Sequence, residues 1–146
     1  MENVKEIKTD LAKSKYDITD LEQIIWELRQ YCPWDKEQDH DTIRKNLLEE
    51  SAEAMAAISN GDYANLVEEL GDVLLQVLFH TQMGKEGVKL QHADNTDGAV
   101  FNFNDICDRL ARKLIYRHPH VYGKVTATDV DTVLTNWEKL KQTEKK

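Results

Sequence analysis

The sequence predicts an all-α fold, a bundle of four to five main helices. Hydrophobic residues recur at helical spacing in several segments, whereas the alternation typical of strands is weak throughout. The two prolines, Pro33 and Pro119, both fall between helical patterns. With 146 residues, of which 40% are hydrophobic and 32% charged, the chain has the size and composition of one globular domain.

The helices are expected to cover about residues 19–31, 42–60, 62–83, 104–118 and 129–141. Side-chain caps are expected from Thr19 with Glu22 at the first helix, from Asp41 or Thr42 at the second, and from Asn104 at the fourth. Gly84 and Gly87 should end the third helix. Loops are expected at 33–41 and at 85–103, the second of them long and exposed.

The third predicted helix is apolar over much of its circumference, which is typical of a helix that lies at the centre of a bundle or in an oligomer interface. The apolar pattern alone leaves both positions open. Residues 1–18 form either an N-terminal extension or another short helix, and residues 19–142 form the domain.

The formal net charge of −8 argues against partners that are themselves polyanions. There is no basic tract, so we expect no nucleic-acid partner, and no apolar stretch is long enough to cross a membrane. The charged N-terminus does not resemble a signal peptide, and Cys32 and Cys107 are expected to be reduced thiols. These observations predict a soluble, cytoplasmic protein.

Two pairs of acidic residues lie in the second and third predicted helices. Residues three apart share a helix face, so Glu50 projects beside Glu53, and Glu69 beside Asp72. A short turn at 60–61 joins the two helices and makes them antiparallel neighbours, which places the pairs at similar height. The spacing therefore predicts that the four carboxylates face each other.

Four facing carboxylates repel one another unless a counter-charge lies between them. Mg²⁺ prefers oxygen ligands and is often completed by substrate phosphates, and Mn²⁺ could substitute for it. Solvated surface acids are the simpler reading of either pair alone, but two pairs flanked by apolar positions favour a metal site. A di-iron bundle is less favoured, because its Glu-x-x-His spacing occurs only from Glu37 to His40, within a predicted loop.

Four strings of the sequence, in this order, resemble the MazG nucleotide pyrophosphohydrolases. They are CPWDKEQ from Cys32, LEESAE from Leu48, ELGD from Glu69 and RHPHV from Arg117. The match extends over about residues 20–141. The first and last strings are specific, whereas EExxE and ExxD also occur in all-helical dUTPases and related enzymes.

The resemblance implies a MazG-like domain over residues 19–142 that hydrolyses a nucleoside triphosphate, NTP or dNTP, to the monophosphate and pyrophosphate. Such an enzyme would remove unwanted nucleotides from the cellular pool. The resemblance also implies an all-α homodimer or higher homo-oligomer. The resemblance also implies that the metal ligands are Glu50, Glu53, Glu69 and Asp72. Two glutamates, Glu49 and Glu53, are expected to assist catalysis, although Glu49 is equally well explained as a solvated acid.

The resemblance further places phosphate-binding cations on the helix before RHPHV, where Lys113 and Arg117 lie four residues apart on one face. They are expected to stabilise the departing pyrophosphate. Trp34 and Trp137 are candidates for stacking on the base, although Trp137 is also in register with hydrophobic residues of its helix. Two alternatives stay open: a narrower dUTP or dCTP pyrophosphatase, and a non-catalytic module for nucleotide binding or oligomerisation.

Overall fold

The structure, a computed structural model, describes residues 4–144, which form seven α-helices and no strand. The predicted all-α class is confirmed. Five of the helices are long, as expected, and the other two have five and four residues. The helices are α1 Ile18–Tyr31, α2 Pro33–Glu37, α3 Arg44–Ser59, α4 Tyr63–Glu86, α5 Phe103–Arg117, α6 Pro119–Tyr122 and α7 Val130–Glu144.

The chain divides into two compact units, the first ending at Asn102 and the second beginning at Phe103. The first unit holds α1 to α4, and the second holds α5 to α7. Among residues 4–144, no helix is both long and apolar enough to cross a lipid bilayer.

The segment before α1 is an extension, because residues 4–17 contain no helix. Glu27, buried on α1, accepts hydrogen bonds from the backbone N–H groups of Lys8 and Thr9 at 2.7 and 3.2 Å and so fixes the segment. Burial alone would raise the pKa of this carboxyl, but the hydrogen bonds from Thr9, Gln23 and Lys8 outweigh it and lower the pKa to about 2.

The predicted cap of α1 was wrong by two residues. The capping box is formed by Asp17 and Asp20, whose side chains each accept from the other's backbone N–H, so Thr19 lies inside the helix. Asp20 also accepts from Lys13 at 2.7 Å. The same N-cap to N3 spacing therefore occurs twice, and the acidic pair with its lysine neighbour is the one used.

The loop expected at 33–41 is partly helical. Pro33 begins α2, where its fixed φ and missing N–H suit the first position of a helix. The caps expected for α3 were also wrong, because its N-cap is Ile43 without a side-chain hydrogen bond. Thr42 instead exchanges hydrogen bonds with Asp39 ahead of the helix.

Helices α3 and α4 form an antiparallel hairpin, as predicted. Asp62 caps α4 by accepting from the backbone N–H of Asn65, and Gly61 takes a φ of 65° in the connecting turn. The buried hydrophobic residues of the first unit come from α1, the N-cap of α3, α3 and α4, with Met83 fully buried. They are Ile25, Ile43, Ala54, Ala57, Leu78, Phe79 and Met83.

Helix α4 ends at Gly87, which has a φ of 72°, and not at Gly84. Gly84 lies inside the helix for a different reason: a β-carbon there would come within 2.6 Å of the Phe101 ring. The backbone N–H of Phe101 also donates to the Gly84 carbonyl at 3.1 Å. The segment expected to be a long exposed loop is a loop, but at Phe101 it returns to pack on α4.

We expect Gly84→Ala to destabilise the protein by about 1–3 kcal/mol, because the new methyl group displaces a packed aromatic ring. Gly71→Ala is the matched control, since a β-carbon at Gly71 meets nothing within 4 Å and the same change should stabilise α4 by about 0.5–1 kcal/mol. Urea unfolding measures both free energies. Equal effects of the two substitutions would contradict the close contact with Phe101.

Two histidines join the returning segment to the helices. His40 Nδ1 and His80 Nδ1 lie 2.8 Å apart with parallel rings, and Phe101 lies 6.0 Å from the His40 ring centre. A hydrogen bond between two imidazole nitrogens needs one of them to be an unprotonated acceptor. Burial lowers the pKa of both histidines, with further lowering at His40 from Arg29 and at His80 from His40, while Asp39 and Asp41 act oppositely on His40.

This lowering predicts a loss of stability in mild acid. The unfolded chain binds protons at these histidines near their ordinary pKa of about 6.5, and the folded chain only at lower pH. The free energy of unfolding should therefore fall more steeply between about pH 7.5 and 5.5 in the wild type than in the double variant His40→Phe with His80→Phe. His92→Phe, at an exposed histidine of the same segment, should leave the pH dependence unchanged.

In the second unit, α5 begins at Phe103, so Asn104 lies within the helix and is not the cap that was predicted. The helix ends at Arg117, next to the predicted stop at Pro119. Asp129 accepts from the backbone N–H of Thr132 at 2.8 Å at the start of α7, close to the predicted start of that helix.

Candidate metal centre

Three of the four predicted carboxylates come together on the α3–α4 hairpin. Glu50, Glu69 and Asp72 each place a carboxylate oxygen within 4.8 Å of the other two. Glu50 precedes Asn60 by as many residues as separate Asp72 from Asp62, so antiparallel packing brings the two to the same height. Glu69 follows onto the same face of α4 because it lies three residues before Asp72.

The three carboxylates are partly buried, and burial together with mutual repulsion raises the pKa of two of them. The pKa of Glu50 is raised by partial burial and then by the negative charges of Asp72, Glu53 and Glu49. The pKa of Glu69 is raised by partial burial and then by Asp72, Glu53, Glu50 and Glu68. Both the partial burial and the neighbouring negative charges therefore disfavour the ionised form of these two residues in the absence of a cation.

Glu53 and Glu49 lie beside this cluster and not within it. Both side chains are exposed, and neither belongs to the group of oxygens within 4.8 Å. The charge of Glu53 nevertheless acts on both Glu50 and Glu69, while that of Glu49 acts on Glu50 alone. The sequence-derived quartet is therefore a compact trio with Glu53 as its near neighbour.

The predicted phosphate-binding cations lie on α5, in the second unit, where they differ in environment. Lys113 is exposed. The Arg117 side chain is only 12% exposed, and its guanidinium donates to both carboxylate oxygens of Glu144 at 2.8–3.2 Å. Lys113 is therefore the readier of the two to meet an anion, whereas Arg117 would have to leave or share Glu144.

The two tryptophans also differ. Trp34 is 58% exposed on α2, which fits a ring available for stacking. Trp137 is partly buried on α7, where the Arg117 guanidinium lies 5.5 Å from its ring centre and His118 approaches edge-on at 4.9 Å. These contacts give Trp137 a packing role within its unit.

Sequence reasoning missed Glu144, the partner of Arg117. Glu144 follows Trp137 by two helical turns, so the two residues share the face of α7 that meets α5. That spacing was a usable signal. By itself, however, a single acid on a helix is usually solvated, so the spacing alone does not predict the ion pair with Arg117.

Comparison with known proteins supports the resemblance carried by the sequence strings. The family model of the MazG nucleotide pyrophosphohydrolase domain matches residues 38–122, more than half of the chain. The matched range includes all four predicted metal ligands as well as Lys113 and Arg117, and it excludes Trp34 and Trp137.

Two curated relatives are similar over most of this chain. A nucleoside triphosphate pyrophosphohydrolase of Escherichia coli is 42% identical over 114 residues, which are 78% of this chain and 39% of the relative. The YabN protein of Bacillus subtilis is 39% identical over 132 residues, which are 89% of this chain and 25% of the relative. The chain thus spans only a quarter to two fifths of the length of these two proteins.

A solved structure has the same fold. The crystal structure of a MazG-related protein from Thermotoga maritima aligns with a TM-score of 0.65 over 86% of this chain and 99% of the other, at 22% sequence identity. The helical hairpin with its facing acids, the ordered sequence strings and the family match lead to one conclusion. The chain belongs to the MazG nucleotide pyrophosphohydrolase domain family.

Proposed function

We propose that this chain hydrolyses nucleoside triphosphates to nucleoside monophosphate and pyrophosphate, using Mg²⁺ held by the carboxylates of the α3–α4 hairpin. The observation that carries the proposal is the approach of Glu50, Glu69 and Asp72 to within 4.8 Å in a chain of this family. The names of the curated relatives support the same reaction.

The residues fit the metal. All donors are carboxylate oxygens, the ligand type that Mg²⁺ and Mn²⁺ prefer. The pKa values of Glu50 and Glu69 are raised by partial burial and then by neighbouring negative charges, which a cation would neutralise. Glu53 is the fourth ligand in this proposal, since its charge already acts on both of those residues. When bound, the metal would polarise the phosphoryl oxygens and lower the charge repulsion against a nucleophile.

The reaction consumes one water. The bond from the α-phosphorus to the oxygen bridging the α- and β-phosphates breaks, and a bond from the α-phosphorus to the water oxygen forms. Glu49 or Glu53 takes the proton of that water, and both are exposed and next to the cluster. In this proposal Lys113 and Arg117 stabilise the departing pyrophosphate with N–H donors, and the exposed Trp34 stacks on the base, whereas Trp137 packs within its own unit.

The deciding experiment is a panel of NTPs and dNTPs with Mg²⁺, in which the products are separated by ion exchange. Monophosphate with pyrophosphate is the expected result for several nucleotides. Turnover of dUTP or dCTP alone would replace the broad enzyme with the narrower one. Tight nucleotide binding without pyrophosphate release would favour a non-catalytic module.

We also propose that the protein works as a homodimer through the outer face of the hairpin. Large hydrophobic side chains are exposed there on both helices, more than solvated single residues explain. They are Leu47, Leu48, Met55, Ile58, Val67 and Leu70. Sedimentation should give a dimer, and Ile58→Glu should shift it toward monomer; a wild-type monomer with full activity would rule the dimer out.

A further inference from the structure

Arg29 is a buried cation on α1 whose guanidinium connects two other elements of the first unit. Its side chain is 7% exposed. On one side it pairs with the carboxylate of Glu86, at the end of α4, through two N–H donors. On the other side it donates to backbone carbonyls at the end of α2, those of Asp35 at 2.7 Å, Gln38 at 2.8 Å and Lys36 at 3.3 Å.

The contact with α4 is fixed from several directions. Gln82 donates to the Glu86 carboxylate at 3.0 Å, and the Arg29 guanidinium lies 5.8 Å from the ring centre of the buried Phe79. Burial would raise the pKa of Glu86, but the hydrogen bonds from Arg29 and Gln82 outweigh it and lower the pKa. The acceptor is therefore a carboxylate over the whole neutral range, and the pair persists there.

Helix α2 depends on this contact. It has five residues, too few for a helix to be stable by itself, and at its C-terminal end the backbone supplies one long hydrogen bond, from the N–H of Gln38 to the Asp35 carbonyl at 3.4 Å. Arg29 supplies donors to the carbonyls of Asp35 and Gln38, and the side chain of Gln38 adds one bond to the Trp34 carbonyl at 2.8 Å. Arg29 is thus the residue that ties the end of α2, the helix that carries the exposed Trp34 ring, to α1 and α4.

We propose that Arg29 is a positioning residue that fixes the Trp34 ring relative to α4, the helix that carries Glu69 and Asp72. The proposal rests on the proposed function, in which Trp34 stacks on the base of the nucleotide. Arg29 itself does not touch substrate. It makes the distance between the stacking ring and the metal ligands the same in every molecule, so that base and triphosphate bind together.

The sharpest substitution is Arg29→Lys, which keeps the charge but cannot donate to Glu86 and to several carbonyls at once. We expect KM to rise about tenfold with kcat changed by less than about threefold, because base stacking is remote from the reacting phosphorus. Trp34→Ala should have a similar effect. Adding Arg29→Lys to Trp34→Ala should then change KM by less than about twofold, since there is no ring left to position.

Arg44→Lys, the same change at an exposed arginine that begins α3, is the matched control and should leave KM unchanged. Glu86→Gln is the second variant, in case Arg29→Lys fails to fold. It should also raise KM, because a neutral glutamine binds the Arg29 guanidinium more weakly than the Glu86 carboxylate does. Independent multiplication of the Arg29→Lys and Trp34→Ala effects would overturn the proposal and leave Arg29 a general stabiliser of the fold.

A second readout separates this proposal from the proposed function. Fluorine-labelled tryptophan gives one NMR resonance for each of the three tryptophans, with Trp34 assigned through Trp34→Phe. In Arg29→Lys without nucleotide, the Trp34 resonance should shift or broaden while that of Trp137 stays. If the Trp34 resonance is unchanged in Arg29→Lys, the positioning role is refuted even if the wild type is active. If the wild type is inactive but the Trp34 resonance moves in Arg29→Lys, only the proposed hydrolysis is refuted.

Discussion

Asp72→Asn and Glu69→Gln should each reduce Mg²⁺-dependent hydrolysis by at least about a thousandfold, because the charge stabilisation that a bound metal gives is several kcal/mol. Each change removes one carboxylate from the cluster of three. The measurement is kcat/KM at saturating Mg²⁺. Glu68→Gln is the control, since it makes the same change at an exposed acid next to Glu69 and should retain most activity.

Glu69→Gln should also change the thermal stability of the protein, in opposite directions without and with metal. The pKa of Glu69 is raised in the folded protein, so its ionised form is less favourable there than in the unfolded chain. The free energy of unfolding of the metal-free protein therefore falls as the pH rises and Glu69 loses its proton. Glu69→Gln should therefore raise the melting temperature of the metal-free protein. In the wild type, Mg²⁺ at about a hundred times its Kd should raise the melting temperature by about 5–10 °C, and in the variant it should not.

The pH dependence of metal binding has a sign that can be checked separately. Protons compete with the metal for Glu50 and Glu69, and they compete at higher pH than at an ordinary carboxyl because both pKa values are raised. The apparent Mg²⁺ affinity should weaken as the pH falls toward about 5 and should recover at neutral pH. If Glu69→Gln binds Mg²⁺ with the same affinity and pH dependence as the wild type, the α3–α4 hairpin is not the metal site.

The helices and the acidic cluster were predictable because both depend on local spacing. Hydrophobic periodicity located the long helices, and the equal distance of Glu50 and Asp72 from the turn placed them opposite each other. What remained out of reach was contact between residues distant in sequence. Helix α2 is stabilised by Arg29, and Arg29 in turn by Glu86, which no pattern within residues 33–41 can reveal.

The two caps show how local signals can mislead. Thr19 with Glu22 and Asp17 with Asp20 have the same spacing, and the second pair is used because both acids and Lys13 act together at the helix start.

The segment after α4 was expected to be exposed, because its polar residues and Asn95–Gly98 turn signals are typical of loops. It packs on α4 through Phe101, and Gln91 donates hydrogen bonds to the carboxylates of Asp39 and Asp41. The residues joined by these two hydrogen bonds are about fifty positions apart in the sequence, so local patterns do not predict them.

The phosphate-binding role proposed for α5 predicts the second large effect. Lys113→Ala should lower kcat/KM by about a hundredfold or more, the usual cost of removing one preorganised donor to developing negative charge. Arg112→Ala makes a comparable charge change one residue earlier and should cost little, because Arg112 is exposed and already paired with Asp108 at 2.9 Å. Steady-state kinetics with one nucleotide, at fixed ionic strength, compares the two.

The contrast between these two residues tests geometry and not charge. Both lie on α5 and both are exposed, so a nonspecific attraction of the triphosphate to the helix would penalise them equally. A specific contact penalises only Lys113→Ala. Inhibition by added pyrophosphate should weaken in the same variant, because the proposed role of Lys113 is to bind the leaving group. Equal losses in Lys113→Ala and Arg112→Ala would reduce α5 to a diffuse cationic surface and would take Lys113 out of the site.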